Sequence, residues 1–367
     1  MRVLHATKVQ GVGGAEQHLL ALLPALRERG VDARFLSLDA GGDSGRFHRA
    51  LDDREIPWRR VPCGLDVSPL LAARGAQAGR AQRPDLLHTH MVHADVYGSI
   101  AAHALRVPFL STRHNDDRYL LGPFRHVDRG FMHGARTIVA ISDAVREFHV
   151  SAGLPADRLV TIHYGLDEIP AMPSELAPAQ AGIPGDAPLV LAVGRLIAQK
   201  DHATLLRAFA RVHRELPEAR LAILGWGPLE DETRSLAAEL GLADAVVVAG
   251  RVEPRDWLLR ADVFAHTSRW EGFGIVLLEA MLGGLPVVAT RVSAVPEIVA
   301  DGETGLLAEA GDDTGIAALL LELLRDGGRR DALGHAGRAR ALDRFSVARM
   351  ADRTLDVYRS ALSAGFR

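Results

Sequence analysis

Short apolar runs alternate with longer amphipathic stretches along this chain, and the alternation stops once and then begins again. In the first half the runs are RVLHAT, DARFLSLD, DLLHTH, FLSTRHN, TIVAIS and LVTIHYG. Runs this short and continuous suit strands buried on both faces, and their alternation with helical stretches predicts a parallel sheet covered by helices on both sides. After Gly165 comes LDEIPAMPSELAPAQAGIPGDAPL, with prolines at 170, 173, 178, 184 and 188 and no apolar period. It reads as a linker over 169–188. The alternation restarts with LVLAVGRL, RLAILGWG, AVVVAG, VFAHTS and PVVAT, so two α/β domains are expected, over 1–168 and 189–345. The closing stretch 346–367 spaces Val347, Met350, Leu355, Val357, Tyr358 and Leu362 as a terminal helix.

With 367 residues there is chain enough for two cores. A net charge of −3 supplies no overall basic field for a nucleic-acid backbone, so nucleic acid is not an expected partner. A single cysteine, Cys63, allows no internal disulfide and no cysteine metal cluster, which suits a reducing cytoplasm. MRVLHATKVQGVGG lacks the order of a secretory signal, and no window approaches a membrane-spanning length, so any membrane contact is expected to be peripheral.

In open parallel sheets, ligands sit beyond the carboxyl ends of the strands. WEGFGIVLLEAMLGGLPVVAT begins at such an end. Gly272 and Gly274 permit a tight turn, Ile275 to Leu282 has helix-forming composition, and Gly283, Gly284 and Pro286 stop it. Amides near 273–276 would then point a partial positive charge at a phosphate or sugar oxygen, with the acceptor-only carboxylates of Glu271 and Glu279 flanking them. The same acids also fit solvated or helix-terminal residues. AVGRLIAQKDHATLL delivers Arg195 and Lys200, a fork and a point charge suited to a diphosphate, though each also fits an ordinary surface cation. Gly225 and Gly227 admit a nucleotide or simply make a turn. Gly11, Gly13 and Gly14 imitate a dinucleotide fingerprint with the wrong spacing, Asp39 being the only following acid at a second-strand end.

STRHNDD places His114 just after a strand, as a hydrogen-bonding histidine or a satisfied structural one. HTHMVHAD puts His88 and His90 on one strand face with His93 beyond, which raises a metal site without a further ligand; no metal is expected. No two aspartates form D-x-D, so a diphosphate would be neutralised by Arg195, Lys200 and helix dipoles. DDRYLLGPFRHVDRGF mixes Arg118, Arg125, His126 and Arg129 with Tyr119, Leu120, Leu121, Phe124 and Phe131. Either it touches an anionic membrane or it is a buried helix with solvated arginines.

Together these segments resemble the retaining glycosyltransferases of family 4, which have the GT-B fold: two Rossmann-like domains facing across a cleft, with the C-terminal helix packing back on the N-terminal domain. The resemblance spans nearly the whole chain and is most specific in EGFGIVLLEAMLGGLPVVAT, the family's E-x7-E segment, with GRLIAQKDHATLLRAFA, LGWGPLE, GVGGAEQHLLAL and STRHN in support. It implies an N-terminal acceptor domain and a C-terminal donor domain. Glu271 would contact the donor sugar, and the amides of Gly272, Phe273, Gly274 and Ile275 would hold sugar and phosphate. Glu279 would bind the ribose, Arg195 and Lys200 the diphosphate, Gly227 the donor, and Gly250 to Val252, including Arg251, the base. His114 would meet the transferred sugar, and Gly13, Gly14 and His90 would line the acceptor and phosphate loops. The chain departs from the pattern at Trp226, and at Ser293 and Ala294 in place of a glycine pair; neither departure is expected to touch the Glu pair.

The resemblance thus implies a hexosyl transfer from a nucleotide diphosphate-sugar to an acceptor hydroxyl, with retention and no cofactor, in glycan, glycolipid or metabolite biosynthesis. A front-face mechanism with closure of the two domains is expected. A GT-B-like sugar-nucleotide epimerase, a phosphorylase, a non-catalytic nucleotide-sugar binder and a nicotinamide dehydrogenase are the competing readings.

Overall fold

The computed structural model describes residues 1–63, 69–169 and 176–363. Part of the expected linker, including Pro170 and Pro173, lies outside the described residues. The chain forms two compact units, one of Met1–Gly165 with the segment from Ser346 onward, the other Leu166–Phe345.

In the first unit, seven strands form an all-parallel sheet: β1 (Arg2–Val9), β2 (Asp32–Asp39), β3 (Trp58–Pro62), β4 (Leu86–His90), β5 (Phe109–Arg113), β6 (Thr137–Ala140) and β7 (Leu159–Thr161). Their spatial order is β3-β2-β1-β4-β5-β6-β7. The second unit repeats the scheme with β8 (Leu189–Val193), β9 (Arg220–Leu224), β10 (Val246–Gly250), β11 (Val263–His266), β12 (Val287–Thr290) and β13 (Gly305–Ala308), ordered β10-β9-β8-β11-β12-β13. Each sheet reverses its strand order once, between β1 and β4 and between β8 and β11, and at such a point the loops leave the carboxyl ends in opposite directions and open a crevice.

Eleven of these thirteen strands coincide with the apolar runs read from the sequence. The two that do not, β3 and β13, are edge strands. β3 exposes Arg59 and Arg60, as an edge permits, and so loses the apolar signature. β13 is four residues long and opens on Gly305, where a Cβ would lie 2.7 Å from the Val287 carbonyl oxygen of β12.

The terminal helix Val347–Ser363 belongs to the first unit, where it packs beside the helix Gly14–Glu28 and buries Met350, Ala351, Thr354, Leu355, Tyr358 and Ala361. An ion pair from Arg29 Nε to Asp352 Oδ1 (2.6 Å) joins the two helices. Gly165 and the start of this helix come so close that a Cβ on Gly165 would sit 2.4 Å from the Ser346 carbonyl oxygen, so glycine is required there.

Candidate active site

At the reversal point of the second sheet, two loops are zipped together. The loop after β8 runs through Arg195 to Lys200 and Asp201, and the loop after β11 through Thr267 to Glu271. Arg269 N–H donates to the Gln199 carbonyl (2.8 Å), and Gln199 Nε2 to the Trp270 carbonyl (2.9 Å). The Thr267 hydroxyl donates to the Lys200 carbonyl (3.1 Å), and Arg269 Nε to Asp201 Oδ2 (3.0 Å). Asp201 holds its place at φ 47°, a left-handed conformation that these bonds must maintain. Thr267, Ser268, Arg269 and Gln199 were not singled out in the sequence; the polar run HTSRW directly after an apolar strand is the signal that marks them.

The purpose of the zipper is visible at Glu271. Its carboxylate receives the Lys200 ammonium, His266 Nε2 (2.9 Å) and the Ser268 hydroxyl (3.2 Å), and the residue is only 7% exposed. Burial works to raise the Glu271 pKa, but Lys200 and His266 outweigh it and hold the carboxyl well below the usual carboxylate range. His266 is itself pushed down, first by burial and then by Lys200, against the pull of Glu271, so it stays neutral. A fixed carboxylate and ammonium are therefore presented together at the carboxyl ends of β8 and β11. Arg195, five residues before Lys200, is exposed.

Gly274 caps the helix Ile275–Leu282 at φ 86°, and a Cβ there would lie 3.2 Å from Glu271 Cγ. Glycine is demanded by both conformation and proximity. Phe273 is buried, its ring against Phe345 (5.9 Å between centroids), which keeps its side chain in the core. The Leu277 N–H is taken by the Gly274 carbonyl (2.8 Å), while the N–H groups of Ile275 and Val276 before it have no acceptor within the helix, as helix geometry dictates. Glu279 lies one turn in and is 1% exposed, which excludes the solvated-acid reading for both glutamates. The substituted glycine pair does touch this motif, contrary to expectation: Ala294 N–H donates to the Glu271 carbonyl (3.3 Å), and Ser293 takes φ 41° to allow it.

Gly225 and Gly227 have a structural reason of their own. A Cβ on Gly225 would meet the Gly194 carbonyl oxygen at 1.8 Å, and one on Gly227 the Leu196 carbonyl oxygen at 2.4 Å. The turn reading thus accounts for both, since they let the loop after β9 lie on the loop that carries Arg195. Trp226 between them is half-exposed, with the Arg251 guanidinium 5.9 Å from its ring centroid, at the ends of β9 and β10. Val252 is half-buried beside it in the chain.

The remaining expected residues lie in the first unit. The Gly13 N–H is taken by Glu16 Oε2 (3.0 Å), where the helix Gly14–Glu28 begins. His114 is buried and both its ring nitrogens have protein partners, Nε2 with His90 Nδ1 (3.1 Å) and Nδ1 with the Tyr164 hydroxyl. The satisfied-histidine reading is the one this geometry supports. His88 and His90 do share a face, but His93 departs on the helix Val92–Leu105, and His5 of β1 takes its place beside them. Burial pushes His5 and His18 down to about 3 and His88, His90 and His114 well below their ordinary value. Arg113, fully buried just before His114, is held by Asp128 Oδ1 (2.7 Å) and Asp95 Oδ2 (3.2 Å). Asp39 accepts from Gly41 N–H (2.8 Å) and pairs with Arg60, which accounts for it without a ribose.

Two doubly wound units, with an acid and a cation fixed at the reversal point of the second, define a nucleotide-handling α/β protein. The sequence pattern of the glycosyl transferases group 1 matches residues 174–340, and that of glycosyltransferase family 4 residues 12–168. The α-maltose-1-phosphate synthase of Mycobacterium tuberculosis is 31% identical over 95% of both chains. The lipopolysaccharide core biosynthesis glycosyltransferase LpsE of Rhizobium meliloti is 29% identical over 95% of this chain and 96% of its own. The crystal structure of Anabaena HepE in complex with UDP-glucose superposes with a TM-score of 0.85 at 25% identity, covering 98% of this chain and all of that one. The chain belongs to the group 1, family 4 glycosyltransferases of the GT-B class, and it is an enzyme that takes its sugar from a nucleotide-sugar donor.

Proposed function

We propose that the second unit binds the donor at the two zipped loops and that the enzyme transfers a hexosyl group to an acceptor hydroxyl with retention of configuration. The observation that carries this is the buried Lys200–Glu271 pair at the reversal point of the second sheet, beside the N-terminus of the helix Ile275–Leu282. Lys200, Arg195 and the helix N–H groups take up the charge that grows on the diphosphate as the bond between the sugar C1 and the phosphate oxygen breaks. Glu271 accepts from a sugar hydroxyl, and Glu279 from the ribose. In a front-face transfer the acceptor oxygen bonds to C1 on the face the phosphate leaves, and its proton passes to the departing phosphate oxygen. Trp226 and Arg251 meet the base. No metal ion is required by this arrangement, and turnover undiminished by EDTA is the expected result.

Relatives of the chain are named for different donors and acceptors, GDP-mannose and a phosphatidylinositol monomannoside among them, so membership does not select the base. A transfer assay with UDP-, GDP- and ADP-hexoses tests the proposal: one donor is consumed with the product α-configured from an α-configured donor. An inverted product, or release of a free epimerised nucleotide sugar, contradicts it.

A lipid-linked acceptor is the second part of the reading. The helix Phe124–Met132 and the turn before it present an exposed face: Tyr119, Leu121, Phe124 and Val127 are each at least half exposed, among exposed Arg118, Arg125, His126 and Arg129. Leu120, Asp128 and Met132 are buried and Phe131 half-buried, so one face of this segment packs inward while the other stays open to a partner surface. An apolar face ringed by cations suits the surface of an anionic membrane. No helix among the described residues is long and apolar enough to cross one. Sedimentation with phosphatidylglycerol vesicles but not with phosphatidylcholine vesicles, lost in Phe124→Ser, is expected.

A further inference from the structure

A continuous line of hydrogen bonds crosses the first unit from the carboxyl ends of its strands to the terminal helix. Thr112 Oγ1 meets His88 Nε2 (2.7 Å), His88 Nδ1 meets the Tyr358 hydroxyl (2.7 Å), and Tyr358 meets His5 Nε2 (3.2 Å). His5 Nδ1 meets His90 Nε2 (3.0 Å), His90 Nδ1 meets His114 Nε2 (3.1 Å), and His114 Nδ1 meets the Tyr164 hydroxyl. Strand alternation assembles it: His5, His88, His90 and Thr112 come from three neighbouring strands, with His5 paired to His88 and His90 to Thr112 in register. Tyr358 reaches in from the terminal helix, and all of these side chains are buried.

A neutral imidazole has one N–H and one lone pair, and a hydroxyl has one proton. Each link needs one proton, so the direction of one bond fixes the direction of the next. If His114 carries its proton on Nε2, then so must His90, His5 and His88, and the protons run from Tyr164 towards Thr112. If His114 carries it on Nδ1, all four do, and they run the other way. A break is possible where two bare lone pairs face each other across a histidine–histidine link, or where Tyr358 accepts from both His5 and His88 and its own buried O–H has no acceptor; either leaves buried polar groups unsatisfied, at a cost of about 1–3 kcal/mol.

We infer that His5, His88, His90 and His114 form one uniformly directed relay with Thr112, Tyr358 and Tyr164, in which Tyr358 and Tyr164 are positioning residues that set the tautomer of His114. This deepens the role of the first unit in the proposed transfer and depends on that role only in its activity arm. It also explains why His5, His88 and His90, whose nitrogens lie within 4.8 Å of one another, are not read as a metal triad: all six of their ring nitrogens are already used in the line.

The two tyrosines drive the relay in opposite senses when their hydroxyls are removed. In Tyr358→Phe, His5 Nε2 loses its partner and is better left as a bare lone pair, so His5, His90 and His114 all become Nδ1–H while His88 becomes Nε2–H. In Tyr164→Phe the bare position is His114 Nδ1, and all four histidines become Nε2–H. Long-range proton–nitrogen correlation spectra of the full chain labelled with 15N-histidine at pH 7.5, assigned by single histidine replacements, read the tautomers directly. The expected result is one shared tautomer in the wild-type protein and opposite His114 tautomers in the two variants. Mixed tautomers among the four in the wild type, a charged member, a change on adding Zn2+, or the same His114 tautomer in both variants overturns the relay. The wild-type spectrum decides the matter even if a variant does not fold. With the relay established in this way, a kcat of Tyr358→Phe within twofold of wild type removes the role of His114 in transfer, and a fall of fivefold or more at unchanged donor KM supports it.

Discussion

Lys200 from the loop after β8 and Glu271 from the loop after β11 meet in an ion pair whose side chains are 15% and 10% exposed. Neither loop can shift without the other, because Gln199, Thr267 and Arg269 tie their backbones together. In the proposed transfer these fixed charges serve the donor end of the reaction, where preorganisation is most effective.

Lys200→Ala is expected to lower kcat/KM by roughly 100- to 1,000-fold, the loss of about 2.7–4 kcal/mol that accompanies removal of one preorganised donor. Because Glu271 is left as a buried charge with only neutral partners, chemical denaturation should also show a loss of about 3–5 kcal/mol. Steady-state kinetics with a proven donor checks the first, and a loss under about threefold counts against the diphosphate role.

The buried histidines set the response to acid. His5, His18 and His149 are pushed from 6.5 to about 3 and His202 to about 4, chiefly by burial. The unfolded chain therefore binds protons that the folded chain refuses, and stability falls as pH drops below 6.5 and keeps falling until the folded values are reached. Each such histidine contributes about 1.4 kcal/mol per pH unit within that window. Thermal unfolding followed from pH 8 to pH 5 should show a flat midpoint above 7 and a steep fall below 6.5; a midpoint constant down to pH 5 would show that these side chains are not buried and neutral.

Asp128→Ala removes one of the two carboxylates on the fully buried Arg113. Arg113 is then left buried with Asp95 as its one remaining carboxylate, and since breaking a buried pair outright costs about 3–5 kcal/mol, the urea midpoint should fall by a part of that. Since β5 ends at Arg113 and His114 follows, the variant should disturb the His114 resonance as well. A midpoint within experimental error of wild type contradicts the pairing.

Ser293→Gly should stabilise the protein by about 1 kcal/mol, because Ser293 sits at φ 41° where a side chain is strained. Turnover should be preserved, as Ala294 still supports the Glu271 backbone. Destabilisation would mean that the serine hydroxyl holds the loop.

Most of the fold could be read from the chain because doubly buried parallel strands leave continuous apolar runs such as LVLAV and VFAH. Edge strands β3 and β13 do not: β3 carries exposed Arg59 and Arg60, and β13 is only four residues long and opens on Gly305, which packs too closely on β12 for a side chain. Glu271 and Lys200 were legible through their glycine turn and their position after strands, but their mutual pairing was not: it arises from the adjacency of β8 and β11, strands separated by two others in the sequence. His266 and Ser268 escaped for the same reason, lying within an apolar strand end where polarity looked incidental. The histidine line was visible only as alternation in LLHTH, because its links depend on side chains from three strands and a helix more than 250 residues away, as His88 and Tyr358 are.

In the proposed reaction the nucleotide diphosphate of the donor rests on the Lys200–Glu271 platform of the second unit. Calorimetric titration of UDP, GDP and ADP into the wild-type protein, and of whichever binds into Lys200→Ala, tests it most directly. One nucleotide should bind selectively, and its Kd should rise at least tenfold in Lys200→Ala. A Kd unchanged by the substitution would place the diphosphate elsewhere and contradict the account.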